Sequence, residues 1–166
     1  KTLLVEKFGE DKEVYELELI ATDHLTSELG NATIKYLDNG VIYSRQFIAD
    51  LQTSEKLQEP RKATDGLQTE FFTKKLQGKV KIKDLDFDLI ATKYKEASAL
   101  IPSDYENAIL YSWSYKVNND NEITADFTLE GTLKGEGTSV EGRNIVTTYY
   151  EFMFSMDKEG NISMQE

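Results

Sequence analysis

The sequence predicts an α+β domain in which about three N-terminal helices pack on a curved antiparallel sheet of four to five strands. Three observations support this prediction. Apolar residues recur at helical spacing through the first 78 residues. From Lys79 onward apolar and polar residues alternate, as in half-buried strands. One face of the predicted sheet is strongly aromatic and needs a covering layer, which the helices would supply.

The chain has 166 residues and a mass of 18.9 kDa, which is the usual size of one domain. We therefore predict a single domain over 1–166, with a helical half at 22–78 and an antiparallel sheet at 79–166. The N-terminal segment 1–21 stays open. Its residues 13–20 alternate as in a strand, yet they are rich in Glu and Leu, which also suit a helix.

Capping and stop residues define the ends of the predicted helices. Thr22 offers N-cap chemistry, and Asn39-Gly40 is a typical helix end. Pro60 ends a second helix or opens the next turn, and Asp65 with Gln68 forms a capping box for a third. The helices are predicted over 22–38, from Ser44 to Pro60, and from Asp65 to Gly78.

The predicted sheet begins with a strand that contains a slip of register. Val80 and Ile82 alternate with lysines, and from Leu85 to Ala91 the apolar positions shift by one residue. Such a slip is typical of a β-bulge, which bends a sheet. Further strands are predicted over 109–117, 123–133, 146–156 and 162–164, with tight turns at 118–121 and 157–161.

Composition excludes several classes of function. The 30 acidic residues against 19 basic ones give a net charge of -11, which does not suit binding to nucleic acid. Cys is absent and His occurs once, so thiol, disulfide and Cys-ligated metal chemistry are excluded. No Walker loop, dinucleotide glycine motif, HExxH or nucleophile elbow occurs. We therefore predict no cofactor and no metal.

Polar residues that resemble catalytic or metal-binding groups have simpler explanations. His24 is the only histidine, but it lies in a polar helix start with no nucleophile motif nearby. Asp84, Asp86 and Asp88 alternate along the predicted strand and are typical of a solvated strand face. We therefore predict no catalytic residue.

An aromatic stripe is the most informative cluster in the sequence. Packing of sheet against helices explains most of it, and the alternative is a pocket for a mostly apolar small molecule. The candidate core or pocket residues are Tyr111, Trp113, Tyr115, Tyr150, Phe152 and Phe154.

Basic residues concentrate between 56 and 83, whereas 84–166 holds 16 acidic and 6 basic residues. This asymmetry offers complementary faces for self-association or for a charged protein partner, with plain solvation as the simpler alternative. The candidate interaction face comprises Arg61, Lys62, Lys74, Lys75 and Lys79.

The order of helices followed by a curved sheet resembles the nuclear transport factor 2-like cone fold. Tyr43-Ser44-Arg45-Gln46-Phe47 and the run from Thr69 to Leu76 resemble extracytoplasmic Gram-positive members of that fold. These include assembly factors of type IV secretion and conjugation machines, whose soluble domain follows one membrane helix. The resemblance implies a non-catalytic extracytoplasmic scaffold domain that self-associates, binds protein partners and meets the membrane only through a segment absent here.

Two alternatives stay open. A small-molecule-binding lipoprotein or pocket protein of the same fold would carry a cavity of roughly 300 Å³ or more. A cone-fold enzyme, isomerase-like or dehydratase-like, would need an acidic or basic group inside the pocket, whereas the inward strand positions are apolar or Tyr. The chain begins Lys1-Thr2 without Met, which predicts a fragment or a processed form of an anchored protein.

Overall fold

The computed structural model describes residues 1–49, 56–62, 78–136, 138–142 and 144–165, and these residues are mainly β. The helical elements are α1 (Thr2–Phe8), a 3-10 turn (Ile82–Asp84) and α2 (Asp88–Ser98). The strands are β1 (Glu13–Val14), β2 (Glu16–Ala21), β3 (Leu29–Asp38), β4 (Val41–Ile48), β5 (Lys56–Leu57), β6 (Arg61–Lys62), β7 (Val80–Lys81), β8 (Tyr105–Val117), β9 (Ile123–Leu133), β10 (Ser139–Glu141), β11 (Asn144–Val146), β12 (Tyr150–Met156) and β13 (Ile162–Met164).

Nine of the described strands form one antiparallel sheet. Its order is β13-β12-β9-β8-β2-β3-β4-β5, and β6 also pairs with β4. The sheet therefore consists of an N-terminal meander, β2 to β6, and a C-terminal one, β8, β9, β12 and β13, joined where β2 pairs with β8. Each meander follows a helix in the chain, α1 or α2. Two small ladders, β1 with β7 and β10 with β11, lie outside this sheet.

The prediction of three helices on a sheet of four to five strands is wrong, because the described part of the N-terminal half is mainly strands. The predicted helix at 22–38 is a loop followed by β3, in which Ala32, Ile34 and Tyr36 are buried and their neighbours are not. Ala32 and Tyr36 are four positions apart and fit a helical stripe as well as this alternation, which explains the error.

Asn39-Gly40 is a hairpin turn and not a helix end. Both residues have positive φ, 48° and 78°, and Asp38 pairs with Val41 across the turn. This is the geometry of a two-residue type I′ turn, for which Asn-Gly is the preferred sequence.

The second predicted helix, from Ser44 to Pro60, is also wrong where the structure describes it. Its start lies in β4, and Lys56–Leu57 form β5. The third predicted helix, from Asp65 to Gly78, falls on residues 63–77 and lies outside the described residues.

The predicted bulged strand from Val80 to Ala91 is wrong after its first two residues. Lys81 ends β7, and α2 begins at Asp88. Asp86 explains the change, because its Oδ1 accepts hydrogen bonds from the backbone N–H groups of Asp88 (3.0 Å) and Leu89 (3.3 Å). The aspartate that suggested a solvated strand therefore caps a helix.

The later strands agree with the sequence. The predicted strand 109–117 lies within β8, 123–133 has the bounds of β9, and 162–164 those of β13. The fourth predicted strand begins at Tyr150 rather than at Val146, which belongs to β11.

The core lies on the apolar face of the sheet, under the two helices. Leu17 of β2 and Trp113 of β8 are fully buried there, and the Trp113 ring stacks on Phe127, which stacks on Phe154. Leu4 and Phe8 of α1 and Ala97 of α2 join the same cluster. The core therefore draws on both meanders and both helices.

Replacing Leu17 with Ala should lower the free energy of unfolding by about 2–5 kcal/mol, since it removes a fully buried side chain from the central strand. Leu37 on β3 is 42% exposed, so Leu37→Ala should change it by only about 0.5 kcal/mol. Urea unfolding of both variants measures the difference. Equal losses would contradict the central place of β2 in the core.

Candidate functional site

An apolar groove of about 650 Å³ lies between α1 and α2, over the seam between β2 and β8. Its walls include Leu4, Leu19, Ile90, Ala91, Leu110 and Trp113. The polar residues that line it include Lys1, Ser27, Tyr111 and Ser112. The groove therefore has the size and the apolar lining of a small-molecule site.

The strand pairing and the position of α2 explain why this space stays open. β2 pairs with β8 from Glu16–Lys116 to Ile20–Ser112, after which β2 turns away into the connection to β3. α2 is fixed beside β8 because the Tyr94 hydroxyl donates a hydrogen bond of 2.6 Å to the carbonyl of Ala108. The helices thus flank the end of the seam without closing over it.

Trp113 forms part of the groove wall and is fully buried. Its indole N–H makes no hydrogen bond with the described residues. Since it is the single tryptophan of the chain, its fluorescence reports on this wall alone.

The aromatic stripe predicted from sequence divides into separate groups. Tyr111 and Trp113 line the groove. Tyr115 and Phe154 belong to the core, and burial raises the pKa of the Tyr115 hydroxyl, which donates a hydrogen bond to the carbonyl of Asp86. Tyr150 and Phe152 pack against Tyr105 near the start of β8, and the Tyr150 hydroxyl donates to Glu136 at 2.8 Å.

The predicted basic face lies only partly within the described residues. Arg61 and Lys62 are exposed and form β6 beside β4. Lys79 forms an ion pair of 2.5 Å with Glu13 of the same chain. Lys74 and Lys75 lie outside the described residues.

Sequence reasoning missed a cluster around His24. The His24 Nδ1 lies 2.6 Å from Oε1 of Glu130, whose side chain is fully buried although it is a carboxylate. The other oxygen, Oε2, accepts the backbone N–H of Leu25 at 2.7 Å. Glu130 lies between Leu129 and Gly131 in β9, at a position where the alternation predicts a solvent-facing acidic residue. Nothing in the sequence therefore indicates that its side chain is buried.

Two tyrosines enclose the imidazole. The rings of Tyr111 and Tyr149 stack on His24 with centroid distances of 5.0 and 4.1 Å, and the Tyr149 hydroxyl lies 3.0 Å from Nε2. The hydrogen bond to Glu130 raises the pKa of His24, against the effect of burial, and the charges of Glu130, Asp23 and Glu151 raise it further.

A bulge in β8 connects this cluster to the groove. Leu110 pairs with Leu129 and Ser112 pairs with Thr128, which leaves Tyr111 as the extra residue. A bulge redirects the side chain at that position. Tyr111 therefore both lines the groove and stacks on His24.

The chemistry of the cluster favours a structural lock over catalysis. A buried carboxylate that orients a histidine is a common base arrangement, but here Nε2 already faces the Tyr149 hydroxyl. Burial, followed by the nearby carboxylates of Glu130 and Glu151, raises the pKa of Tyr149, which keeps the phenol protonated. The arrangement therefore fastens the connection between β2 and β3 to the sheet.

The described residues contain no group of three or more His, Asp or Glu side chains placed to hold a metal ion. Neither α1 nor α2, the helices that the structure describes, has the length and hydropathy needed to cross a membrane.

Replacing Glu130 with Gln should lower the pKa of His24 toward its ordinary value, because the carboxylate is the main cause of the rise. A raised pKa means that protonated His24 stabilises the fold. This contribution is complete below the unfolded pKa of about 6.5 and is lost as the pH rises through the folded value. Glu130→Gln should therefore flatten the fall in stability with rising pH.

The titration of the imidazole by NMR is unambiguous because the chain has one histidine. Glu106→Gln is the matched control, since Glu106 is an exposed glutamate on β8. An unchanged His24 titration in Glu130→Gln would contradict the assigned contact.

Comparison of the chain with protein-family models, with curated proteins and with solved structures found no match. The resemblance to the cone fold therefore stays a prediction that these comparisons do not test. The function has to be argued from the groove and the His24 cluster themselves.

Proposed function

We propose that the protein is a non-catalytic binding protein that holds an apolar small molecule in the groove between α1 and α2. The observation that supports this most is the groove itself, with a volume of about 650 Å³ and a lining that is mainly apolar. That volume lies within the usual range for small-molecule sites and above the roughly 300 Å³ that we expected of a pocket protein.

The distribution of polar groups indicates the shape of the ligand. The long walls come from Leu4, Leu19 and Ile90, which offer no hydrogen bonds from their side chains. The polar lining residues Ser27, Tyr111 and Ser112 lie near the end of the β2–β8 seam. A ligand with a hydrocarbon body and one polar end fits this arrangement best.

The scaffold function predicted from the resemblance receives less support from the described residues. Three lysines of the basic stretch already form ion pairs within the chain, because Lys79 pairs with Glu13 and both Lys81 and Lys83 pair with Asp11. Self-association, extracytoplasmic location and a role in type IV secretion stay predictions.

Binding should be visible in the fluorescence of Trp113. N-phenyl-1-naphthylamine, an uncharged apolar dye, should quench Trp113 emission saturably, because the indole forms part of the groove wall. Without dye, the emission should lie at short wavelength, since the ring is fully buried and its N–H makes no hydrogen bond with the described residues.

Ala91→Phe should weaken dye binding about tenfold or more, because it places a ring in the groove from the exposed side of α2. Thr92→Phe is the control, since it adds a ring at the next exposed position, outside the groove lining. Equal binding by both variants, or no quenching by wild type, would contradict the proposal. Light scattering on the same samples tests the rival, which predicts a salt-sensitive oligomer.

A further inference from the structure

The β2–β3 loop, residues 22–28, borders one end of the groove. Ser27 within it and Leu29 just after it both line the groove. The base of the loop is closed, since the Thr22 N–H donates a hydrogen bond of 2.8 Å to the carbonyl of Glu28. The backbone also passes so close that a Cβ on Gly30 would lie 2.6 Å from the Thr22 Cα. Movement is therefore confined to the tip between these residues.

The tip is held by one buried carboxylate. His24 Nδ1 and the Leu25 N–H both bind Glu130, at 2.6 and 2.7 Å, and Asp23 accepts the His24 N–H at 2.8 Å. Leu25 has a φ of 55°, a left-handed conformation that is unfavourable for a residue with a Cβ. The tip therefore needs these contacts to keep its conformation.

The charge of His24 decides how strongly the tip is held. Protonated His24 neutralises Glu130, whereas neutral His24 leaves a buried carboxylate with uncharged donors only. The other charged groups that act on the imidazole, Asp23 and Glu151, are both acidic and favour the same protonated state. Tyr111 and Tyr149 stack on the ring, and burial raises the pKa of the Tyr149 hydroxyl, which keeps that phenol uncharged.

We propose that the β2–β3 loop is a pH-sensitive lid on the groove, which is closed while His24 is protonated and loosens when His24 is neutral. This inference rests on the proposed function, because it regulates the same binding site. The lid acts on the groove through Ser27, which the loop carries, and through Tyr111, which touches both the groove and His24.

A closed lid should slow the exchange of ligand. Release should therefore accelerate as the pH rises through the pKa of His24. The equilibrium constant for lid closure should be larger at acidic than at alkaline pH. The ratio should be about tenfold for each pH unit by which the contact with Glu130 raises the pKa of His24. The release rate should follow the NMR titration of the single histidine.

The test is stopped-flow release of N-phenyl-1-naphthylamine, followed by recovery of Trp113 emission from about pH 5 to about pH 9, a span that brackets the ordinary histidine pKa. Wild type should release the dye several times faster at the alkaline end. His24→Gln keeps a neutral donor at every pH, so its release should be fast and independent of pH. Glu106→Gln should behave as wild type.

Hydrogen exchange of the Leu25 amide, corrected for its intrinsic pH dependence, tests the lid without a ligand. The Leu25 amide of wild type should lose protection above the His24 pKa, and that of His24→Gln should show no such change. This result supports the lid even if the dye does not bind and the proposed function is wrong. Protection that does not change with pH overturns the lid. Dye binding with a release rate that is flat in pH, or equally pH-dependent in His24→Gln, also overturns the lid and leaves the binding function standing.

Discussion

The pairing of β2 with β8 is the contact on which the rest of the structure depends. It joins residues about 100 positions apart, from Glu16–Lys116 to Ile20–Ser112, and so merges two meanders into one sheet. Each meander follows its own helix, and both helices border the same groove. Among the described residues, two short helices lie on the apolar side of nine strands and leave the groove between them. Without the seam there would be neither a continuous core nor this groove.

The opposite face of the sheet is polar, and its charged side chains form exposed ion pairs. Lys35 pairs with Glu16, and Lys116 pairs with Asp126, all of them at least partly exposed. Exposed pairs of this kind contribute about 0–1 kcal/mol each, so they keep the face soluble more than they stabilise it. Glu130 differs from these exposed acidic residues because it is fully buried. A buried carboxylate is unfavourable unless it is paired, and the contact with His24 offsets this cost.

The sequence predicted the strands whose apolar residues fit only one period. In β8 and β9 the alternation of Trp113 with Tyr115, and of Phe127 with Leu129, has no helical counterpart. In β3 the spacing of Ala32 and Tyr36 fits both periods, and the decision comes from pairing with β2 and β4. Local pattern cannot supply that information, and the predicted helix at 22–38 failed for this reason.

The site was harder to predict because its parts meet only through long-range pairing. Tyr111 was singled out as an aromatic residue, but its place in a bulge depends on the register between β8 and β9. His24 and Glu130 are 106 positions apart, and each looks ordinary in its own segment. The bulge gives Tyr111 two neighbours, the groove and the imidazole of His24, and the β2–β3 loop carries both His24 and the groove-lining Ser27. A change of charge at His24 can therefore reach the groove through surface elements alone, while the core beneath Trp113 stays packed.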